Sequence, residues 1–185
     1  QAESLASRIY ELTDFLTNEH RDCDALFADA ENAAHEGDLA AAGSAFAAFA
    51  ESLRQHLAIE EEVLFPAFEA RTGMAGGPTA VMRMEHVQMR TLLEQLQRAL
   101  DAGSLDDFLG LGETLNVLVQ QHNMKEEQML YPMCDRALGD QADASGADRR
   151  ARSRGPDSAP EPALVREPPA EVAIAARAAE TSGRH

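Results

Sequence analysis

The chain has 185 residues, enough for one domain with a substantial hydrophobic core and an additional segment. Its formal net charge is -16, nearly all of it within residues 1–138, so the sequence predicts no nucleic-acid partner and no binding to anionic membranes. Two cysteines make no disulfide framework, and no apolar run approaches the roughly 20 residues that span a bilayer, so we expect a cytoplasmic protein.

Four segments with helical periodicity follow one another along the chain. Their apolar residues recur at gaps of three and four, which draws one apolar stripe along each helix. The predicted helices cover about residues 4–35, 39–71, 79–101 and 105–138. Gly37 and Gly103 end the first and third helices, and Asp38 and Ser104 are predicted to cap the next ones. Short connections make neighbours antiparallel, so the predicted fold class is all-α, an up-down-up-down four-helix bundle.

Two further features concern the helix ends and the tail. Pro66 is predicted to kink or shorten the second helix, because proline lacks an N–H and clashes with the preceding turn. After Leu138 the apolar pattern stops, and the remaining residues are rich in Ala, Pro, Asp, Arg and Ser. The sequence therefore predicts a folded domain over residues 1–138 and a disordered tail over 139–185, which could bind a protein partner.

The two halves of the folded part repeat each other. Segment 56–66 aligns with segment 122–132, and both contain the motif His-x-x-x-Glu-Glu. Residues of about 4–71 and 79–138 are therefore predicted to be two copies of one helical hairpin, each supplying a lone His and a His-x-x-x-Glu. The equivalent pairs are His20 and His86, His56 and His122, Glu60 and Glu126, and Phe65 and Tyr131.

Six polar side chains lie on the apolar stripes and are predicted to point into the core. This His/Glu set consists of His20, His56, Glu60, His86, His122 and Glu126. Burying two carboxylates without partners would outweigh a typical domain stability of about 5–15 kcal/mol. Two divalent metal ions, bridged by Glu60 and Glu126 and completed by neutral imidazoles, would satisfy all six groups. Such mixed donors suit iron, with manganese or zinc as possible substitutes.

In the order and spacing of these residues, the chain over 4–138 resembles the hemerythrin-like (HHE) cation-binding domain family. The resemblance implies two iron ions with an oxo or hydroxo bridge, Glu60 and Glu126 as bridging ligands, and the four histidines as terminal ligands. Oxygen-carrying hemerythrins have a fifth His where this chain has Arg90, and a bridging Asp where it has Glu126. These departures argue against reversible oxygen carriage. The set of four His and two Glu more closely resembles that of the di-iron proteins linked to iron–sulfur cluster repair.

The predicted function is that of a di-iron protein that binds or senses oxygen, nitric oxide or peroxide, or that handles iron. Two alternatives stay open at this point. One is a di-iron redox enzyme of the peroxidase, nitric-oxide-reducing or iron–sulfur-repair type. The other is a regulatory module whose tail contacts a partner protein.

Some neighbours of the His/Glu set allow two interpretations. Four glutamates flank the His/Glu set, and their side chains are predicted to be solvated. The alternative is that these glutamates orient the imidazoles from outside the set. These outer carboxylates are Glu19, Glu61, Glu85 and Glu127. Asp24 and Arg90, each one turn after a histidine of the set, are predicted to form an ion pair, with Asp24 as an extra ligand being the alternative.

Overall fold

The computed structural model describes residues 2–139, and all secondary structure in that range is helical. Helix α1 spans Ala2–His35 and helix α3 spans Pro78–Asp101. Helix α2 (residues 39–72) consists of Leu39–Ile59, the π-helical turn Glu60–Leu64 and Phe65–Thr72. Helix α4 (residues 105–138) consists of Leu105–Lys125, the π-helical turn Glu126–Leu130 and Tyr131–Leu138. The predicted all-α class is confirmed, whereas the predicted tail, apart from Gly139, lies outside the described residues.

The four helices form a closed bundle. Helix α1 packs against α2, α2 against α3, and α3 against α4, and α4 returns to contact α1. The connections at residues 36–38 and 102–104 lie at one end, and the connection at 73–77 lies at the other, which gives the predicted four-helix bundle. None of the helices in the described part of the chain is both long enough and apolar enough to cross a membrane.

The predicted helix caps are present. The Asp38 carboxylate accepts a hydrogen bond of 3.0 Å from the backbone N–H three residues on, and the Ser104 hydroxyl accepts one of 3.4 Å in the equivalent place. Gly37 and Gly103, which end the preceding helices, have φ angles of 77° and 69°. This left-handed conformation favours glycine, so both hairpins turn in the same way.

Pro66 does not shorten α2, because a π-helical turn accommodates it. The backbone N–H of Phe65 donates to the carbonyl of Glu60, and the same five-residue bond joins Tyr131 to Glu126 in the other hairpin. The wider turn relieves the clash between a proline ring and the carbonyl four residues earlier. It also places an aromatic residue beside each glutamate of the His/Glu set.

The core has two apolar clusters, with a polar layer between them. The larger cluster packs around Phe27, Phe46, Phe49 and Phe108. The smaller one packs around Phe65, Phe68 and Tyr131. In α1, Leu16 belongs to the smaller cluster and Cys23 to the larger, and His20 lies between them. The other helices repeat this order, so the polar layer crosses the whole bundle.

Candidate metal centre

The His/Glu set forms this polar layer. All six side chains are buried, and none is more than 4% exposed. They form two groups that share both glutamates, and the ligating atoms within each group lie within 4.8 Å of one another. Site 1 is His20, His56, Glu60 and Glu126, and site 2 is Glu60, His86, His122 and Glu126. The structure thus brings all six predicted residues together, and their role as metal ligands stays a prediction.

The two shared carboxylates divide their oxygens between the sites. Glu60 Oε1 lies 3.4 Å from His56 Nε2 in site 1, and its Oε2 lies 3.2 Å from His86 Nε2 in site 2. Glu126 does the same, with Oε2 at 3.1 Å from His20 Nε2 and Oε1 in site 2. A carboxylate placed in this way can bridge two cations, one on each oxygen.

Each site contains a pair of histidines whose ring nitrogens face each other. The Nε2 atoms of His20 and His56 are 3.1 Å apart, and those of His86 and His122 are 3.2 Å apart. Atoms bound to one metal ion at about 2.1 Å lie about 3.0–3.4 Å from one another, depending on whether the geometry is octahedral or tetrahedral. The spacing within each pair therefore matches that of two ligands on one ion.

The outer carboxylates hold the other nitrogen of every histidine. The Nδ1 pairs are His20 with Glu127 at 2.8 Å, His56 with Glu19 at 3.1 Å, His86 with Glu61 at 2.8 Å, and His122 with Glu85 at 2.7 Å. An ionised carboxylate only accepts hydrogen bonds, so each Nδ1 carries a proton, and in a neutral ring the Nε2 then presents its lone pair. The prediction that these glutamates are merely solvated is wrong.

The register between helices, which the sequence does not give, explains that error. Glu19 on α1 reaches His56 on α2, and Glu61 on α2 reaches His86 on α3. Each outer carboxylate adjoins a residue of the His/Glu set, and a step of one residue turns its side chain toward the neighbouring helix. One sequence signal could have identified all four outer carboxylates: each is a glutamate at equivalent positions in both copies of the repeat.

The hydrogen bonding of the polar layer leaves too few protons for its acceptors. Each Nε2 lone pair faces another lone pair and a carboxylate oxygen. Glu60 Oε2 and Glu126 Oε1 are buried and have no hydrogen-bond partner. Burial by itself lowers the pKa of His56, but the charge of Glu60 and the bond to Glu19 raise this pKa well above its ordinary value. Divalent metal ions would accept these lone pairs and offset the charge of the two carboxylates, so the arrangement fits them.

Basic residues reinforce the outer carboxylates of site 2. The Arg90 guanidinium donates two bonds to Glu61, at 2.7 and 3.0 Å, and Lys125 forms an ion pair with Glu85. Burial raises the pKa of Glu61, but the bonds from His86 and Arg90 outweigh it and lower this pKa to about 2. A permanently ionised Glu61 keeps the Nδ1 proton on His86.

The predicted ion pair between Asp24 and Arg90 is wrong. Asp24 instead accepts a bond of 3.0 Å from Gln120, and it belongs to neither site. Helices α1 and α3 lie at opposite corners of the bundle, so repeat-equivalent residues on them are kept apart. Arg90 therefore pairs with Glu61 on the adjacent helix α2.

Tyr131 is a buried polar residue at site 1 that the sequence interpretation missed. Its hydroxyl contacts Glu60 Oε1, lies 3.1 Å from Glu126 Oε2, and lies 3.3 Å from His20 Nε2. The repeat places Phe65 opposite it, which looks like an ordinary exchange of core aromatics. The π-helical turn brings the tyrosine to the site, and no local sequence pattern predicts that turn.

The fold and the site define a class of protein: a four-helix bundle whose core holds paired His/Glu groups suited to binding cations. Residues 11–134 match the family model described as the hemerythrin HHE cation binding domain. The match covers well over half of the chain, which therefore belongs to this family, and the family resemblance is confirmed. The comparisons found no significant match among curated proteins or among solved structures.

Proposed function

We propose that the protein is a non-haem di-iron protein that binds or senses oxygen, nitric oxide or peroxide, or that handles iron. His20 and His56 would hold one ion, His86 and His122 the other, and Glu60 and Glu126 would bridge them. The observation that carries the proposal is the pairing of Nε2 lone pairs, 3.1 and 3.2 Å apart, beside shared carboxylates.

The donor set favours iron. Each site offers two imidazole nitrogens and two carboxylate oxygens without a thiolate, which suits iron, with manganese and zinc as possible substitutes. Paired iron ions, if bound in such a site, would supply reversible electron transfer and exchangeable positions for a small ligand. The chain's own contribution is to fix the imidazoles through the outer carboxylates and to keep bulk water away with the apolar clusters.

A redox enzyme is the second candidate, and one observation favours it. Arg90, at the position of the fifth histidine of oxygen carriers, is bonded to Glu61 and supplies no donor to site 2. Fewer protein donors leave more positions for reactants. Steady turnover of peroxide or nitric oxide with an electron donor would support the enzyme, whereas stoichiometric and reversible spectral changes would support a binding or sensing protein.

The first experiment is metal analysis of protein purified without oxygen, followed by optical spectra before and after exposure to oxygen, nitric oxide and peroxide. We expect two iron ions per chain and near-ultraviolet absorption from the bridged, oxidised pair. A protein that stays folded and colourless and takes up no iron would contradict the proposal.

Location and partners are proposed on different grounds. Cys23 and Cys134 are both free and buried, which fits the reducing cytoplasm. We further propose that residues 1–138 are the metal-binding domain and that residues 139–185 form a separate tail that can contact a partner protein. Deletion of the tail should then abolish capture of that partner and leave iron content unchanged.

A further inference from the structure

The repeat that relates the two sites is broken at one aromatic residue. Phe65 and Tyr131 are equivalent, both completely buried, and each follows a bridging glutamate by five residues. The Phe65 ring stacks on His86 with centroids 5.5 Å apart, and the Tyr131 ring stacks on His20 at 5.8 Å. The two rings therefore occupy the same place in each half, and only Tyr131 adds an oxygen.

That oxygen lies among the ligating atoms of site 1. It contacts Glu60 Oε1 and lies 3.1 Å from Glu126 Oε2 and 3.3 Å from His20 Nε2. All three of these atoms are acceptors, since His20 Nδ1 donates to Glu127, yet the hydroxyl has one proton to give. At site 2 the corresponding oxygens of Glu60 and Glu126 have no hydroxyl beside them, and lie 3.2 Å from His86 Nε2 and 2.9 Å from His122 Nε2.

The spacings of the hydroxyl from Glu126 Oε2 and His20 Nε2 are those between neighbouring ligands on one metal ion, about 3.0–3.4 Å for donors about 2.1 Å from it. We propose that Tyr131 is a fifth protein donor to the metal ion of site 1, and that Phe65 leaves the equivalent position of site 2 open to a small ligand. On binding, the metal ion replaces the phenol proton, which is released to water. The inference rests on the proposed di-iron function and makes its two ions chemically different.

Phenolate coordination has a signature that the other donors lack. A phenolate on ferric iron gives an intense visible charge-transfer band, and excitation in this band enhances the ring vibrations of the bound tyrosine. The chain has only two tyrosines, and the other one, Tyr10, precedes His20 by ten residues on α1, about 15 Å along the helix axis. The spectrum can therefore be assigned to one residue.

The test uses the full-length, iron-loaded and oxidised protein. We expect the visible band in the wild type, its loss in Tyr131→Phe at unchanged iron content, and an unchanged band in Tyr10→Phe. Phe65→Tyr should strengthen the band by adding a second phenolate, and it should abolish the binding of azide, used as a small anionic probe.

Three further outcomes separate this inference from the proposed function. Iron-loaded wild type with two ions per chain and no phenolate band, or a band that survives in Tyr131→Phe, would overturn the inference and leave the di-iron proposal standing. A chain that binds no iron would overturn both. If Tyr131→Phe does not fold, Tyr10→Phe grown with ring-deuterated tyrosine gives the same decision, because Tyr131 is then the only labelled residue and the enhanced vibrations must shift.

Discussion

The Nε2 atoms of His86 and His122 lie 3.2 Å apart, while Nδ1 of each ring donates to its own glutamate. With both ring protons committed to Nδ1, two lone pairs face each other in a layer without bulk water. Either a metal ion or additional protons must occupy the space between them. Metal binding, protonation and stability are therefore linked at this site.

Replacing a glutamate that we propose to bridge the two metal ions should remove the metal. In Glu126→Gln the amide cannot supply two anionic oxygens, so the iron content should fall to a minor fraction of that of the wild type. The melting temperature should fall with it, because metal binding contributes to folding free energy. Metal analysis and thermal melts check this. Glu113→Gln, the same change on the exposed face of α4, is the control, and equal iron content in both variants would contradict the bridge.

Replacing an outer carboxylate should weaken the metal site without abolishing it. Glu85→Gln keeps an acceptor for His122 Nδ1 but removes its charge and the ion pair with Lys125. We expect about a 10- to 100-fold loss of iron affinity, with unchanged stoichiometry at saturating iron. Competition with a chelator measures the affinity. Glu94→Gln, on the exposed face of α3, should match the wild type, and an unaffected Glu85→Gln would show that the outer bond is dispensable.

Much of this arrangement could be predicted from the sequence. Residues such as His20 and His86 lie on apolar stripes, and the repeat groups them, so the helices, the burial and the candidate ligands follow from spacing alone. The contacts between helices could not be predicted. The pairing of Arg90 with Glu61 rather than Asp24 depends on which helices are neighbours and at what height they cross.

The π-helical turns were also beyond sequence reasoning. A regular helix would place Leu64 one turn after Glu60, whereas the observed turn brings Phe65 to that place in α2 and Tyr131 in α4. The presence of a proline after each turn gives the physical reason, but a proline is equally compatible with a kink or a helix end. Only the structure shows which of these solutions the chain adopts.

The stability of the metal-free protein should fall both in acid and as the pH rises above 6.5. Burial lowers the pKa of His56, but Glu60 and Glu19 raise it well above 6.5, so its stabilising charge is complete below pH 6.5 and is lost as the pH rises through the raised pKa. Burial raises the pKa of Glu60, but His56 and His86 lower it well below 4.5, so its contribution is present above pH 4.5 and is lost in acid. Metal-free protein should therefore be most stable between about pH 4.5 and 6.5.

Iron-loaded protein should show the opposite trend above that window. Protons compete with metal ions for Nε2, so affinity rises as the pH rises. The difference in melting temperature between loaded and metal-free protein should widen from about pH 6 to about pH 8.5. Parallel melting curves for the two forms over this range would contradict the link between metal and protons.

A substitution in the apolar core should lower the stability of the protein without changing the iron content of the folded chains. Phe46 is fully buried in the larger cluster, edge-on to Phe108 at 5.6 Å, and is not part of the His/Glu set. Phe46→Ala should lower the free energy of unfolding by about 3–5 kcal/mol through the cavity that it leaves. Iron bound per folded chain should not change. Loss of iron in step with stability would mean that metal content merely reports folding.

Anomalous X-ray diffraction at the iron edge, on crystals of the iron-loaded protein, tests the paired site most directly. We expect two peaks about 3.5–4 Å apart, one beside the Nε2 atoms of His20 and His56 and one beside those of His86 and His122, with Glu60 and Glu126 between them. A single peak, or peaks away from the polar layer, would contradict the account.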